Sequence, residues 1–291
     1  MRNIDEYNIT QAVIAHHAAA GDARLREVMT SLVQHLHAFA REVRLTEAEW
    51  LHGLRFVTDC GTARSDRQQE LRLLSDTLGL SMLVTAQSHR KPKGCTDSTV
   101  SGSFDANGTP HPATIDGAAL DERCVPFHVS GRVCALDGAP VAGAVVRVWR
   151  SDAEILLDPE DTPPTLRHDC ATLTSDGEGR FRFSTTVAQP HPVPHDGPVG
   201  RLLQSLGRHA WRPAHLHFSI NAAGYEPLVT QVFRADDSYL DSDAVFAVRS
   251  SLLADWVHHA PGRTPDGHTS AVPFYTLDFV FVLSTTTGDK P

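Results

Sequence analysis

The stretch Arg212-Pro-Ala-His-Leu-His-Phe218, continued by Ser219-Ile220, decides the fold expected of this chain. Alternation puts Ala214, Leu216, Phe218 and Ile220 on one face of a predicted strand and His215, His217 and Ser219 on the other. Two residues of strand rise separate the two histidine Cα atoms by about 6.6 Å, a span over which two imidazoles can meet one metal ion. Pro213 has no N–H and suits the first positions of a strand. Arg212 is left at the strand mouth, where its fixed fork of donors can meet an anion. Among 17 histidines an H-x-H alone is weak support for a metal site. The preceding run Pro190-His-Pro-Val-Pro-His-Asp-Gly-Pro-Val-Gly200 strengthens it, because it brings His191 and His195 on a stiffened backbone.

Length and composition narrow the classes. A chain of 291 residues holds one large domain or two ordinary ones, and an apolar fraction of 41% is ample for a packed core. A net charge of −9 with no long basic run argues against nucleic acid as a partner. Cys60, Cys95, Cys124, Cys134 and Cys170 are odd in number and lack C-x-x-C spacing. That pattern favours a reducing compartment over a disulfide framework or a cysteine zinc site. The start, Met-Arg-Asn-Ile-Asp-Glu, carries no apolar leader segment, and no stretch approaches a membrane span. The expectation is a cytoplasmic protein with no membrane partner.

Working outward, the first third reads as helices. Asn8 with Gln11 resembles a capping box opening a helix through Ala20, and Gly21-Asp22 breaks it. Leu25, Val28, Met29, Leu32, Val33, Leu36, Phe39 and Val43 recur at helical spacing, while His35 and His37 read as solvated helix surface. Thr46 with Glu49 forms a second capping box before a buried stripe of Trp50, Leu54 and Val57. Ser65 with Gln68 opens a fourth helix carrying Leu71, Leu74 and Leu78. Breaker-rich sequence from Lys91 to about Ala119 marks the boundary, giving a helical domain over 1–96 and a sheet domain over 97–291. Strands are expected at Val129–Leu136, Ala144–Trp149, Arg180–Thr186, Ala214–Ile220, Leu228–Phe233 and Thr276–Leu283. Asp137-Gly138 reads as a hairpin turn between the first two. Helical patterns appear only near Gly200–Gly207 and Ser242–Trp256, so the fold class is mixed, a β-sandwich with an N-terminal all-helical domain.

Several motifs together resemble the intradiol ring-cleaving dioxygenases, above all the hydroxyquinol 1,2-dioxygenase branch and then the catechol 1,2-dioxygenases. They are Arg212-Pro-Ala-His-Leu-His-Phe218, Asp196-Gly-Pro-Val-Gly200 with Gly207-Arg-His209, Tyr239-Leu-Asp-Ser-Asp-Ala-Val-Phe246, Met29–Phe39 and Leu74-Ser-Asp-Thr-Leu-Gly79. The resemblance covers nearly the whole chain. It implies a β-sandwich catalytic domain, a helical domain that pairs two subunits, a small aromatic substrate, O₂, and an iron ion held by two histidines and two tyrosines. His215 and His217 match the two histidines, Arg212 an arginine that steadies charge on the bound ring, and Gln231 a glutamine close to the metal.

The tyrosines do not match. The aligned positions carry Leu157 and His191, and no tyrosine occurs anywhere between Tyr7 and Tyr225. Gly102-Ser-Phe-Asp105 stands where the family usually has Gly-Pro-Phe-Tyr, and His195 replaces an acidic residue. Phenolates are hard anionic donors that stabilise Fe(III), whereas neutral imidazoles favour divalent ions. The expected site is therefore one metal ion per subunit held by His191, His215 and His217. Fe(II) is favoured over Fe(III), and zinc, copper or nickel would also suit the ligand set. Glu154, Asp158 and Glu160 lie where a carboxylate ligand would come from, though a solvated acidic loop is the simpler reading. Three activities fit such a site: an oxygenase acting on a catechol- or hydroxyquinol-like ring, a redox-neutral metal enzyme, and a non-catalytic aromatic-binding relative. The oxygenase is preferred, with Arg212 and Gln231 as its catalytic residues.

Overall fold

The structure is a computed structural model and describes residues 3–62, 70–100, 125–150 and 170–286. Contacts divide the chain into two compact units, Met1–Thr62 and Ala63–Pro291. Ser65 and Gln68, Gly102–Asp105, Cys124, Glu154, Leu157, Asp158 and Glu160 lie outside the described residues.

The first unit holds α1 (Ile9–His17), α2 (Ala23–Glu42) and α3 (Glu47–Thr62). Asp22 caps α2, its carboxylate accepting from the N–H groups of Arg24 and Leu25 at 2.8 and 3.1 Å. The Thr46–Glu49 box forms in both directions: Thr46 N–H donates to Glu49 Oε2 at 2.9 Å, and Glu49 N–H to Thr46 Oγ1 at 3.3 Å. The Asn8–Gln11 box does not form. Asn8 is the N-cap of α1 without a side-chain cap bond, and the helix ends at His17. Asp5 fills the role instead, its Oδ1 accepting from the N–H groups of Tyr7 and Asn8 at 3.0 Å each. His37 is not simply solvated, because its Nδ1 lies 3.0 Å from Thr10 Oγ1 and links α2 to α1. The apolar stripe is real but uncovered. Leu25, Val28, Leu32, Leu36, Phe39 and Val43, with Trp50, Leu54 and Val57 of α3, are each about half exposed in the single chain. The stripe of α3, expected to be buried, is thus not buried within the first unit.

The second unit begins with α4 (Glu70–Thr77) and α5 (Leu80–Ser88), then turns to strands. Its strands are β1 (Pro126–Ala135), β2 (Val145–Arg150), β3 (Cys170–Thr174), β4 (Arg180–Thr186), β5 (His191–Pro192), β6 (Trp211–Arg212), β7 (His215–Asn221), β8 (Leu228–Arg234), β9 (Leu253–Ala254), β10 (Val257–His259), β11 (Gly262–Arg263), β12 (Thr269–Ser270) and β13 (Phe274–Leu283). One sheet runs β10-β13-β1-β4, and the other β3-β2-β7-β8-β9. Their inward faces share one core. Phe218 of β7 stands 4.7 Å from Phe281 of β13 and 6.4 Å from Phe181 of β4, ring centroid to centroid, so the two sheets meet through these rings. Burying a side chain of that size stabilises the fold by about 1.5–3 kcal/mol.

Two sequence expectations change here. Asp137-Gly138 does turn the chain, with Gly138 at φ 85° and Val141 N–H donating to Val133 O at 3.0 Å. Yet β1 pairs with β13 and β4, and β2 with β3 and β7, so after the turn the chain crosses to the other sheet. Ser242–Trp256 is not an α-helix. It contains a short 3₁₀ turn at Ser250–Leu252 and the strand β9, and Ala244, Val245, Ala247 and Leu252 bury into a second apolar cluster. That cluster covers the outward face of the five-stranded sheet around Phe233 of β8. The last helix, α6 (Pro198–Ser205), starts with Pro198 in its first turn. The buried carboxylate of Glu70 accepts from Val199 N–H at 3.1 Å, and a Cβ at Gly197 would collide with it. This seats the run that follows His191 against α4.

Candidate metal centre

β7 is buried on both sides, which gives its two faces different work. Ala214, Leu216, Phe218 and Ile220 enter the shared core. His215 and His217 point the other way, and both are buried. Cross-strand pairing then builds a row on that outward face: Trp149 of β2 lies opposite His217, and His217 opposite Gln231 of β8. The Trp149 ring stacks on His217, with centroids 5.0 Å apart and planes 3° apart. His215 lies opposite Phe233, one row along.

The Nε2 atoms of the two histidines converge to 3.1 Å. Nδ1 of His215 lies 2.7 Å from the carbonyl oxygen of Pro213. A carbonyl only accepts, so Nδ1 carries the proton and Nε2 presents its lone pair, the tautomer a metal ligand requires. Burial, and after it the charge of Arg212, pushes both imidazoles well below their ordinary pKa. They are therefore neutral at neutral pH, as ligands must be. Two nitrogens each about 2.1 Å from one ion, at nearly a right angle, stand about 3 Å apart. The pair thus fits a divalent cation in spacing, neutrality and burial.

His191 reaches this place through a two-residue ladder. β5 pairs antiparallel with β6, and His191 lies opposite Arg212. Its ring centroid is 5.6 Å from that of His215, and its Nδ1 is 3.4 Å from Gln189 O. Among the described residues, no group of three or more His, Cys, Asp or Glu side chains is gathered closely enough to hold a metal ion. His195 turns its Nδ1 to the carbonyl of Val193 at 3.1 Å.

Arg212 is not a surface residue. Its Nε donates to Asp243 Oδ1 at 2.9 Å, Nη2 to Gln231 Oε1 at 2.9 Å, and Nη1 lies 3.2 Å from His215 Nε2. Gln231 is fully buried and donates from Nε2 to Val100 O at 3.0 Å, which fixes its amide with the oxygen toward Arg212. The arrangement places a cation, an amide and two neutral imidazoles on one closed face.

Three participants escaped the sequence reading. Asp243 lies within the Tyr239–Phe246 motif, but only the fold brings it to Arg212. Trp149 lay in a predicted strand with no sign that it would meet His217. Asp76, inside the Leu74–Gly79 motif, is half-buried near Arg212 with its Oδ1 atom shielded and unpartnered, and desolvation raises its carboxyl pKa.

Helices are followed by a two-sheet unit with a buried His-x-His pair, and comparison with known proteins gives its class, a metal-dependent oxidoreductase of the dioxygenase type. A family model described as Dioxygenase matches residues 103–284, and one described as Catechol dioxygenase N terminus matches residues 22–96. The 6-chlorohydroxyquinol 1,2-dioxygenase of Cupriavidus pinatubonensis is 51% identical over 98% of this chain and 100% of its own length. The hydroxyquinol 1,2-dioxygenase of a Rhizobium species is 39% identical over 96% of this chain and 95% of its own. The solved hydroxyquinol 1,2-dioxygenase of Pseudomonas putida superposes with a TM-score of 0.84 at 39% identity, covering 96% of this chain and 98% of that one. The chain belongs to the intradiol dioxygenase family.

Proposed function

We propose that this chain is a divergent intradiol-type oxygenase on a β-sandwich, acting on a hydroxyquinol- or catechol-like ring through a divalent metal bound by His215, His217 and His191. One observation carries the reading: two buried, neutral imidazoles whose Nε2 atoms converge to 3.1 Å beside the Arg212 cation. His191, set opposite Arg212 by the β5–β6 ladder, supplies the third nitrogen by turning its ring toward the pair. Fe(II) is the proposed ion, and bound there it would activate the ring oxygens and O₂. Arg212 balances negative charge that develops on the ring, and Gln231 orients Arg212 through its amide oxygen. Asp76, half-buried with a shielded, unpartnered Oδ1, offers an acceptor for a ring hydroxyl. Metal analysis of protein purified without added metal, followed by O₂ uptake with hydroxyquinol and with catechol, tests the reading. One O₂ consumed per ring with about one iron per chain supports it, and turnover without O₂ uptake rejects it.

A redox-neutral reaction on the same fold is the second reading. It rests on the absence of any tyrosine between Tyr7 and Tyr225, which removes the phenolate donors of the family's ligand set. We further propose that two copies pair through the half-exposed stripes of α2 and α3.

A further inference from the structure

Asp243 is a buried carboxylate whose acceptor sites are occupied from two directions. Arg212 approaches with Nε at 2.9 Å and Nη2 at 3.4 Å, and the backbone N–H groups of Val245 and Ala247 donate at 3.3 and 2.9 Å. The last bond is made by an uncommon backbone. Phe246 has φ 57°, the left-handed region that a bulky side chain seldom adopts, and this turns Ala247 N–H back toward residue 243. Arg208 braces the turn. Its Nη2 donates to Ala244 O at 3.0 Å, its Nη1 to Thr77 O at 2.7 Å, and its guanidinium lies 4.8 Å over the Phe246 ring.

We infer that Asp243 is the positioning residue of this centre: the 243–247 turn is a carboxylate clamp that holds Arg212 in its orientation toward His215 and Gln231 and offsets its charge beside the metal. The inference rests on the metal site proposed above. Without a counter-charge, a guanidinium whose Nη1 lies 3.2 Å from a ligand nitrogen would repel any cation bound there. An Arg–carboxylate pair with nearly parallel bonds also fixes the plane of the fork, which Gln231 and His215 alone do not. The strained Phe246 backbone is then part of the device, because it completes the carboxylate's bonding.

The test compares full-length wild type with Asp243→Asn, which keeps the shape and one acceptor but removes the charge. Two quantities are read: Co²⁺ affinity, and the Nε–H resonance of Arg212 in protein labelled with ¹⁵N-arginine, assigned through Arg212→Lys. In wild type that resonance should be shifted downfield and slow to exchange with solvent. In Asp243→Asn it should move upfield, and Co²⁺ should bind about tenfold more weakly. An unchanged affinity or an unmoved resonance overturns the inference. If Asp243→Asn does not fold, the wild-type resonance decides alone: exchange as fast as that of exposed arginines overturns the clamp. Wild type that binds no Co²⁺ instead removes the proposed metal site, and the resonance still judges the clamp independently.

Discussion

The Nε2 atoms of His215 and His217 stand 3.1 Å apart on a face closed to solvent. Two polar nitrogens of neutral rings seldom meet so deep in a protein without a shared partner, because each costs free energy to bury. The neighbours sharpen the point. Nδ1 of His217 is buried and has no hydrogen-bond partner, and neither does Trp149 Nε1 on the ring stacked against it. Part of the burial cost of this row is thus uncompensated by hydrogen bonds, as expected where binding comes before stability.

Substituting the nitrogens should remove the metal. His215→Ala and His217→Ala should each lower bound metal at least about tenfold, and His191→Ala should do the same. Elemental analysis of the purified variants checks this. Full metal in His191→Ala would place the third ligand elsewhere, with Asp158 the next candidate.

Arg212→Ala should separate chemistry from metal content. In the proposed role the guanidinium would face charge on the substrate and carry the same sign as the metal. Its loss should cut turnover about a hundredfold or more without lowering bound metal. Steady-state kinetics and metal analysis on one preparation decide it. Metal lost in proportion to activity would make the residue structural.

The metal-free protein should lose stability on the acid side of neutrality. Both site histidines have folded pKa values well below 6.5, so below that pH the unfolded chain binds more protons than the folded one. Stability present above about pH 6.5 is then lost as pH falls toward the depressed folded values, by at most about 3 kcal/mol per pH unit for two protons. Urea unfolding from pH 7.5 to 5 reads the slope. The double variant His215→Ala with His217→Ala should flatten it.

The chain should be a homodimer. Leu32→Asp with Leu36→Asp, both at half-exposed positions of α2, should shift light-scattering mass from about twice the 31.7 kDa chain toward that of one chain. A wild type already monomeric at micromolar concentration would sink the proposal.

The ligand set can also be rebuilt. Leu157→Tyr combined with His191→Tyr should restore two phenolates and, with Fe(III), a visible charge-transfer band that wild type lacks. A tyrosinate Raman signature in the wild-type protein would contradict the three-histidine reading.

How much was legible follows from the range of each interaction. Alternation along Ala214–Ile220 assigned each side chain of β7 to a face, because a strand's period is two whatever it pairs with. The Thr46–Glu49 box and the Asp22 break were legible because a cap is satisfied within one helical turn. The absence of tyrosine between Tyr7 and Tyr225 needed no structure at all. By the same logic, spacing put His215 and His217 on one face, while the resemblance was needed to make them candidate ligands.

What only the tertiary structure decided involves partners far apart in the chain. Local turn chemistry at Asp137-Gly138 cannot say which sheet the next strand joins, and here β2 leaves the sheet of β1. The apolar periodicity of Ser242–Trp256 fits a helix as well as an irregular segment. The choice goes with Asp243, whose carboxylate accepts from the N–H groups of Val245 and Ala247 and from Arg212 Nε. The exposure of Trp50 and Leu54 depends on what covers α3, which its own period does not specify. Sequence thus determined which residues share a face and that no tyrosine lies between Tyr7 and Tyr225. Only the folded chain determined that Asp243, 31 residues from Arg212, meets its guanidinium beside the two histidines, because pairings at that separation are set by sheet topology and packing.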